Sequence, residues 1–373
     1  MQDAIGKPFE RLGGSLIDPD MVLPAALPLD LCGESVRARL CVFTDHTHRD
    51  MALRPDLTLP VALAEIGLRK AGTVAGENVH RYAARAFRQP AVASEPMEFM
   101  QVGFERFGAP ASPSIDAEAY CLVSEAATEC GVKRGVARFG DLGILPAFIE
   151  ALDLSDAVSA GLRRAFRQAG GVSAFLERAS LPVDAFIMSL DGLDEAGIMA
   201  KLSEKLDQEG VTHFGNRTQA EVVERLMDQA KHSKDAAVPD VAQEVLEAVL
   251  ALECAPPEAA DKLRAIASKA GLSGADKAIS DLEERLALIM RDSPHFLEGA
   301  CFSPAFGRRF TYYDGFVFEL GEAGERRARP FGTGGRYDHL LSDLSLGGVD
   351  ATAIGGVVRP DRLALAAAEE KAA

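Results

Sequence analysis

No Cys-x-x-Cys pair, no run of 18 apolar residues and no surplus of basic side chains occur in this chain. Each absence removes a class of function. The six cysteines, at 32, 41, 121, 130, 254 and 301, lie far apart, so they read as buried thiols of a reducing compartment rather than as disulfides or metal ligands. Without a long apolar run no membrane-spanning helix is expected, and the opening MQDAIGKPFERLG lacks the charged-then-apolar order of a signal peptide. A cytoplasmic protein is expected. Lys and Arg number 40 against 56 Asp and Glu, a formal charge of −16, so the global field repels nucleic acid unless a local patch overrides it. No G-x-x-x-x-G-K-S/T segment occurs and no G-x-G-x-x-G follows a strand, so neither P-loop nor Rossmann nucleotide binding is supported. No Ser-His-Asp arrangement stands out. Among seven histidines, His46 and His48 with Asp45 and Asp50 imitate a metal cluster, but that segment reads as an exposed hairpin tip. No metal and no cofactor are expected.

What is present divides the chain into three. With 47% hydrophobic residues over 373 positions, a large core and two or three domains are within reach. In residues 1–152, LCVF and MALRP joined by the polar turn from Asp45 to Asp50 read as a hairpin, and 61–72 as a helix stopped by glycine. Residues 79–108 read as antiparallel strands ending in FMQVGFERFG, followed by a helix over 117–130, the strand VARFG and a helix over ILPAFIEAL. Residues 153–295 read as an all-helical insertion. Its signals are a capping box at 218–221 (TQAE) ahead of the stripe Val222, Val223, Leu226, Met227 and Ala230, then Val241, Val245, Val249 and Leu252, then Ile279, Leu282, Leu286 and Ile289. In residues 296–373 the strand signals return, so the expected fold is α+β with a helical insertion.

The segments FTYYDGFVFEL (310–320) and GTGGRYDHLL (332–341) combine ring walls, phenolic hydroxyls and a close-approaching backbone, the ingredients of a pocket for a small polar ligand. Three of the five tyrosines, Tyr312, Tyr313 and Tyr337, lie there. In LRPDLTLP (53–60), Arg54, Asp56 and Thr58 share a face if the segment is extended. A carboxylate beside a hydroxyl suits an ammonium group, since both accept hydrogen bonds; a surface hairpin edge fits the spacing equally. Gln101, Gly103 and Glu105 share a face of FMQVGFERFG, which taken alone reads as solvent-facing, because burying an unpaired carboxylate is costly. Arg88 precedes a loop rich in Ala, Ser and Pro, where a fixed guanidinium meets a phosphate or carboxylate.

In order, FTDHTHRDMALRPDLTLPVA, VHRYAARAFRQP, EFMQVGFERFG, FTYYDGFVFEL, GTGGRYDHLL and AIGGVVRPDRL resemble the catalytic domain of class II histidyl-tRNA synthetases over about residues 8–152 and 296–368. The resemblance implies a six-stranded antiparallel sheet with flanking helices and a dimer through about residues 11–35. It also implies a histidine site: Asp56, Thr58 and Gln101 on the amino group, Glu105 and Tyr313 on the imidazole, Tyr312 and Tyr337 lining the pocket, and Arg308 and Arg88 toward the carboxylate or phosphate side. The chain departs from the synthetase pattern at Pro90, where a glutamate is expected, and at Met97, where an arginine is expected. In the last motif Arg359-Pro360-Asp361-Arg362 replaces the glycine that lets ATP approach the backbone, so ATP contacts are weakened. Eleven residues follow Arg362, against about 100 for an anticodon-binding domain. No tRNA binding is expected.

With these departures the chain resembles the regulatory subunits of ATP phosphoribosyltransferase. That family implies pairing with a short-form catalytic subunit in the first step of histidine biosynthesis, typically as a hetero-octamer, with histidine as feedback inhibitor. The chain lacks the acidic pair followed by Thr-Gly of a phosphoribosyl-pyrophosphate loop, consistent with chemistry residing in the partner, and no catalytic residue is assigned. The residues leave open whether histidine sits in this chain, in the partner or at their interface. Two other readings stay open: a free-standing enzyme that activates or ligates an amino acid with ATP, and a dimeric scaffold whose helices bind something unrelated.

Overall fold

Alternating side chains along two ten-residue strands set the centre of the molecule. The computed structural model describes residues 2–92, 95–166, 170–180, 185–190, 192–209, 222–223, 226–227, 238–307, 311–322 and 329–372. Its strands are β1 Ser15–Leu16, β2 Val22–Pro24, β3 Val42–Thr44, β4 Asp50–Leu53, β5 Asn78–Phe87, β6 Glu98–Phe107, β7 Val136–Asp141, β8 Cys301–Phe302, β9 Phe316–Gly321, β10 Gly332–Arg336 and β11 Ala353–Val358. The main sheet has the order β1-β5-β6-β11-β10-β9-β7-β8. Its middle six strands are antiparallel, as the synthetase resemblance implies, and β1 and β8 extend the edges in parallel. A second sheet, β2-β4-β3, contains the expected β3–β4 hairpin, whose turn is held by the Asp45 carboxylate on the N–H groups of Thr47 and Arg49.

Successive residues of a strand face opposite ways, and helices cover both faces of the main sheet. On one, α1 (Thr58–Lys70) buries Leu59, Val61, Ala62 and Ile66 against Tyr82, Phe99, Phe107 and Tyr337. On the other, α2 (Pro113–Glu129) starts where the Ser112 hydroxyl accepts the Ile115 N–H, and its Tyr120 ring meets Phe139 and Phe318 at 5.1 and 5.4 Å.

The chain divides into two compact units, Met1–Ala147 with Ala248–Ala373, and Phe148–Glu247. The second is helical among its described residues, with Leu190, Ile198, Leu202 and Val223 at its core. This division differs from the expected insertion at 153–295. Helices α3 (Ala259–Lys269) and α4 (Asp276–Asp292) lie in the first unit, because the Ile279, Leu282, Leu286 and Ile289 stripe is buried and α4 packs on α2. A buried ion network ties α4 further into the sheet. Arg285 donates to Asp116 Oδ2 (2.8 Å) and Asp141 Oδ2 (2.7 Å), while Arg336 donates to Asp116 Oδ1 (2.7 Å) and Asp338 Oδ1 (2.9 Å). Of the neighbouring stripe, Val245 and Val249 are buried and Val241 is exposed. The capping box at 218–221 lies outside the described residues. No helix among the described residues is long and apolar enough to cross a membrane.

Candidate functional site

The segment LRPDLTLP is not extended. It bends after β4 and enters α1 at Thr58, with Pro60 tolerated in the first helical turn, where its missing N–H has no intrahelical partner to lose. Arg54 and Asp56 therefore part company. Arg54 is buried, donates Nε to Arg85 O (2.7 Å) and also bonds Pro19 O. Asp56 lies just ahead of the helix and takes the Leu59 N–H on Oδ1 (3.3 Å), leaving the buried Oδ2 without a hydrogen-bond partner among the described residues.

Glu105, on β6, is the hub of the site. It is 1% exposed, which overturns the solvent-facing reading of its strand face. Three hydroxyls from three elements donate to it: Thr58 Oγ1 of α1 (2.7 Å) and Tyr82 Oη of β5 (3.0 Å) to Oε1, and Tyr337 Oη, just after β10, to Oε2. Burial pushes its pKa up to about 7, the three hydroxyls pull the other way, and the Asp56 charge adds to the rise. The space for this arrangement comes from glycines on three adjacent strands. Glu105 is in register with Gly355 of β11, which pairs with Gly335 of β10. A Cβ at Gly355 would overlap Glu105 Oε2, one at Gly335 would lie 2.9 Å from the Tyr313 ring, and one at Gly103 would press on Tyr82 Oη at 2.8 Å.

Around this floor the structure gathers the other expected residues. Gln101 shares the face of Glu105 on β6, is buried, and its Oε1 has no partner among the described residues. Tyr312, Tyr313 and Tyr337 form an aromatic wall, with centroids at 4.9, 5.8 and 6.2 Å. Arg88 donates Nε to Pro55 O (2.8 Å), and its charge opposes the burial that raises the Asp56 pKa. Arg308 lies outside the described residues. Tyr82 and Gly355 belong to the site although sequence reasoning assigned them no role, and Gly335 lies in the segment expected to bring the backbone close. Their signal is register, since Tyr82 faces Gly103 across β5 and β6. An orphaned buried acceptor costs about 1–3 kcal/mol, so Asp56 Oδ2 and Gln101 Oε1 mark a place for a donor-rich group such as an ammonium.

A second cavity of about 340 Å³ adjoins Phe99 and is lined by Arg39, Arg88, Glu95, Arg359 and Arg362 among others. Arg359, at the position where the synthetase pattern has glycine, lays its guanidinium over the Phe99 ring at 3.7 Å and is held there by two bonds to Asp361 (2.9 and 2.6 Å).

The antiparallel sheet with a polar, tyrosine-walled pocket across its middle strands defines a class II synthetase-like core. The family model for Histidyl-tRNA synthetase matches residues 3–209 and 195–363. A structure described as an ATP phosphoribosyltransferase regulatory subunit/histidyl-tRNA synthetase from Bacillus halodurans shares the fold at a TM-score of 0.63 and 19% identity, covering 98% of this chain and 77% of that one. Curated relatives are more specific. The ATP phosphoribosyltransferase regulatory subunit of Allorhizobium ampelinum is 30% identical over 350 residues, covering 90% of this chain and 89% of that protein. That of Chelativorans sp. is 29% identical over 347 residues, covering 90% and 89%. The chain belongs to the ATP phosphoribosyltransferase regulatory subunit family within the histidyl-tRNA synthetase-like proteins.

Proposed function

We propose that this chain is the non-catalytic regulatory subunit of ATP phosphoribosyltransferase, activating a short-form catalytic subunit in the first step of histidine biosynthesis and taking part in feedback inhibition by histidine in the cytoplasm. The observation that carries the reading is the buried, tyrosine-walled cluster around Glu105, taken with the Arg359 guanidinium laid over Phe99. Two orphaned acceptors, Asp56 Oδ2 and Gln101 Oε1, sit with the Thr58 hydroxyl and suit an amino group. Glu105 suits a ring N–H because it is a buried acceptor already fixed by three hydroxyls. In this reading Tyr313 joins Glu105 on the imidazole, Tyr312 and Tyr337 enclose it, and Arg88 with Arg308 faces the carboxylate. Arg359 on Phe99 favours a regulatory over an amino-acid-activating role, since the ring face is already covered.

The chain pairs with a second copy through about residues 11–35, which is supported by exposed Met21 and Val22 beside exposed Val42 and Phe43 on the three-stranded sheet. It assembles with the catalytic partner into a hetero-octamer and binds no tRNA. Histidine acts by preferring one assembly geometry, and a 5–150-fold effect needs a coupling of about 1–3 kcal/mol. The test is phosphoribosyl-ATP formation by a short-form catalytic subunit from the same organism, with and without this chain and histidine. Activation reversed by histidine is expected. No effect on the partner, together with amino-acid-dependent ATP cleavage by this chain alone, would overturn the reading.

A further inference from the structure

The histidine reading leaves Asp314 without a role, although it stands between the two halves of the tyrosine wall. Tyr312 and Tyr313 precede β9 and Tyr337 follows β10, so all three lie past the end of the β9–β10 ladder, which runs from Val317 paired with Gly335 to Leu320 paired with Gly332. Ladder bonds therefore do not set the distance between them. Asp314 bridges that gap. Its N–H donates to Arg336 O (3.1 Å), and its carboxylate takes the Asp338 N–H on Oδ1 (3.0 Å) and the His339 N–H on Oδ2 (2.9 Å). Three bonds from the residue after Tyr313 thus bracket Tyr337 on both sides. The bracketed turn is itself fixed to β11, because the Tyr337 N–H donates to Ala353 O (2.9 Å) while Asp338 Oδ1 takes the Ala353 N–H (2.8 Å) and Arg336 Nη1 (2.9 Å). Gly315 keeps the approach close, since a Cβ there would come within 3.1 Å of the Arg336 side chain. The carboxylate also meets N–H groups at the start of the short helix Leu340–Ser345, where negative charge is favoured. The His339 ring adds one more contact, Nδ1 at 2.6 Å from Oδ2, but its side chain is 77% exposed and such a pair contributes little.

We infer that Asp314 is a positioning residue of the ligand pocket: through its bonds to Arg336, Asp338 and His339 it staples the Tyr312–Tyr313 segment to the Tyr337 turn and holds the aromatic wall at the spacing that receives a planar ring. Without the staple both segments keep their strands and lose their register with each other. A wall ordered in advance spares the ligand the cost of ordering it on binding.

The test compares the full-length wild type with Asp314→Ala, Asp314→Asn and His339→Ala at pH 7.5. The chain has no tryptophan, and the wall holds three of its five tyrosines with ring centroids at 4.9, 5.8 and 6.2 Å, close enough for their transitions to couple. Near-ultraviolet circular dichroism of tyrosine therefore reports on the wall. Asp314→Ala is expected to lose most of that band with its far-ultraviolet spectrum unchanged, and to bind histidine about tenfold more weakly in calorimetry. Asp314→Asn keeps one acceptor and should fall between Asp314→Ala and wild type. His339→Ala keeps both backbone bonds and should stay within about twofold of wild type. A folded Asp314→Ala protein with the wild-type tyrosine band overturns the inference. So does a His339→Ala protein that loses as much as Asp314→Ala, because the surface pair would then be the staple. If Asp314→Ala does not fold, Asp314→Asn decides by the same two measurements. The calorimetric arm rests on the histidine reading and the spectroscopic arm does not: a wild type that binds no histidine removes that reading, and the tyrosine band still decides the role of Asp314.

Discussion

Replacing Glu105 with glutamine should change how stability depends on pH. Burial raises the Glu105 pKa from 4.5 to about 7 in the folded protein. Between those values the folded state keeps a proton that the unfolded chain has released, so the folded state binds more protons and stability falls as pH rises through the window. Below 4.5 both states are protonated and the cost is absent; above about 7 it is complete. At about 1.4 kcal/mol per pH unit, the full loss is about 3 kcal/mol. Glutamine is neutral at every pH and still offers Oε1 to the Thr58 and Tyr82 hydroxyls. Urea unfolding of both proteins, followed by circular dichroism from pH 4.5 to 8, isolates the effect, because all other titrating groups are common to the two. The wild type should lose about 3 kcal/mol relative to Glu105→Gln across the series. Curves that stay parallel within about 0.5 kcal/mol would refute the claim that this carboxylate is desolvated in the folded state.

Three further outcomes follow from the same geometry. Gly355→Ala puts a Cβ onto Glu105 Oε2 in a central strand, so urea unfolding should show a loss of about 1–3 kcal/mol and calorimetry a loss of histidine binding; wild-type behaviour would mean the pocket floor yields freely. Glu105→Ala should weaken histidine binding by about 2–5 kcal/mol in calorimetry, and an unchanged affinity would remove the ligand assignment. Arg285→Met leaves Asp116 and Asp141 buried without the cation that bridges them, which should cost about 3–5 kcal/mol. Burial already raises the Asp116 pKa against the pull of Arg285 and Arg336, so that loss should be smaller at pH 5 than at pH 7.5, because protonation of Asp116 at the lower pH relieves its missing cation.

Periodicity was enough for β5, β6 and the β3–β4 hairpin, because their alternation is local and their breaks are marked by turn residues. It misled at LRPDLTLP, where a run of three alternating polar positions looks the same whether the chain is extended or bends into a first helical turn. Parity put Gln101 and Glu105 on one face, yet whether that face meets water depends on α1, β5 and β11, which approach from elsewhere in the chain. The family resemblance supplied what local pattern could not, since it placed Asp56, Thr58 and Tyr337 around Glu105 in advance. The apolar stripe of α4 reads alike against a sheet-covering helix or a neighbouring insertion helix, so periodicity alone does not place it in the first unit. Arg285 was the available signal. It sits three residues after Leu282 on the buried side of the stripe, where a charged side chain needs a partner from the core.

The ion network that fixes Arg336, the residue before Tyr337, also orders events in time. Asp116 and Arg285 are 169 residues apart and Asp116 and Arg336 are 220 apart, so neither bond closes until most of the chain has been made. Closing such long loops is slow compared with forming α2 or the β5–β6 pair, whose contacts are local. During synthesis, Asp116 waits as a solvated charge on a finished helix while the helical middle emerges and folds. The tyrosine wall around Glu105 is therefore completed late, and a chain stopped before β10 lacks both strands, β10 and β11, that join β6 to β9 in the sheet.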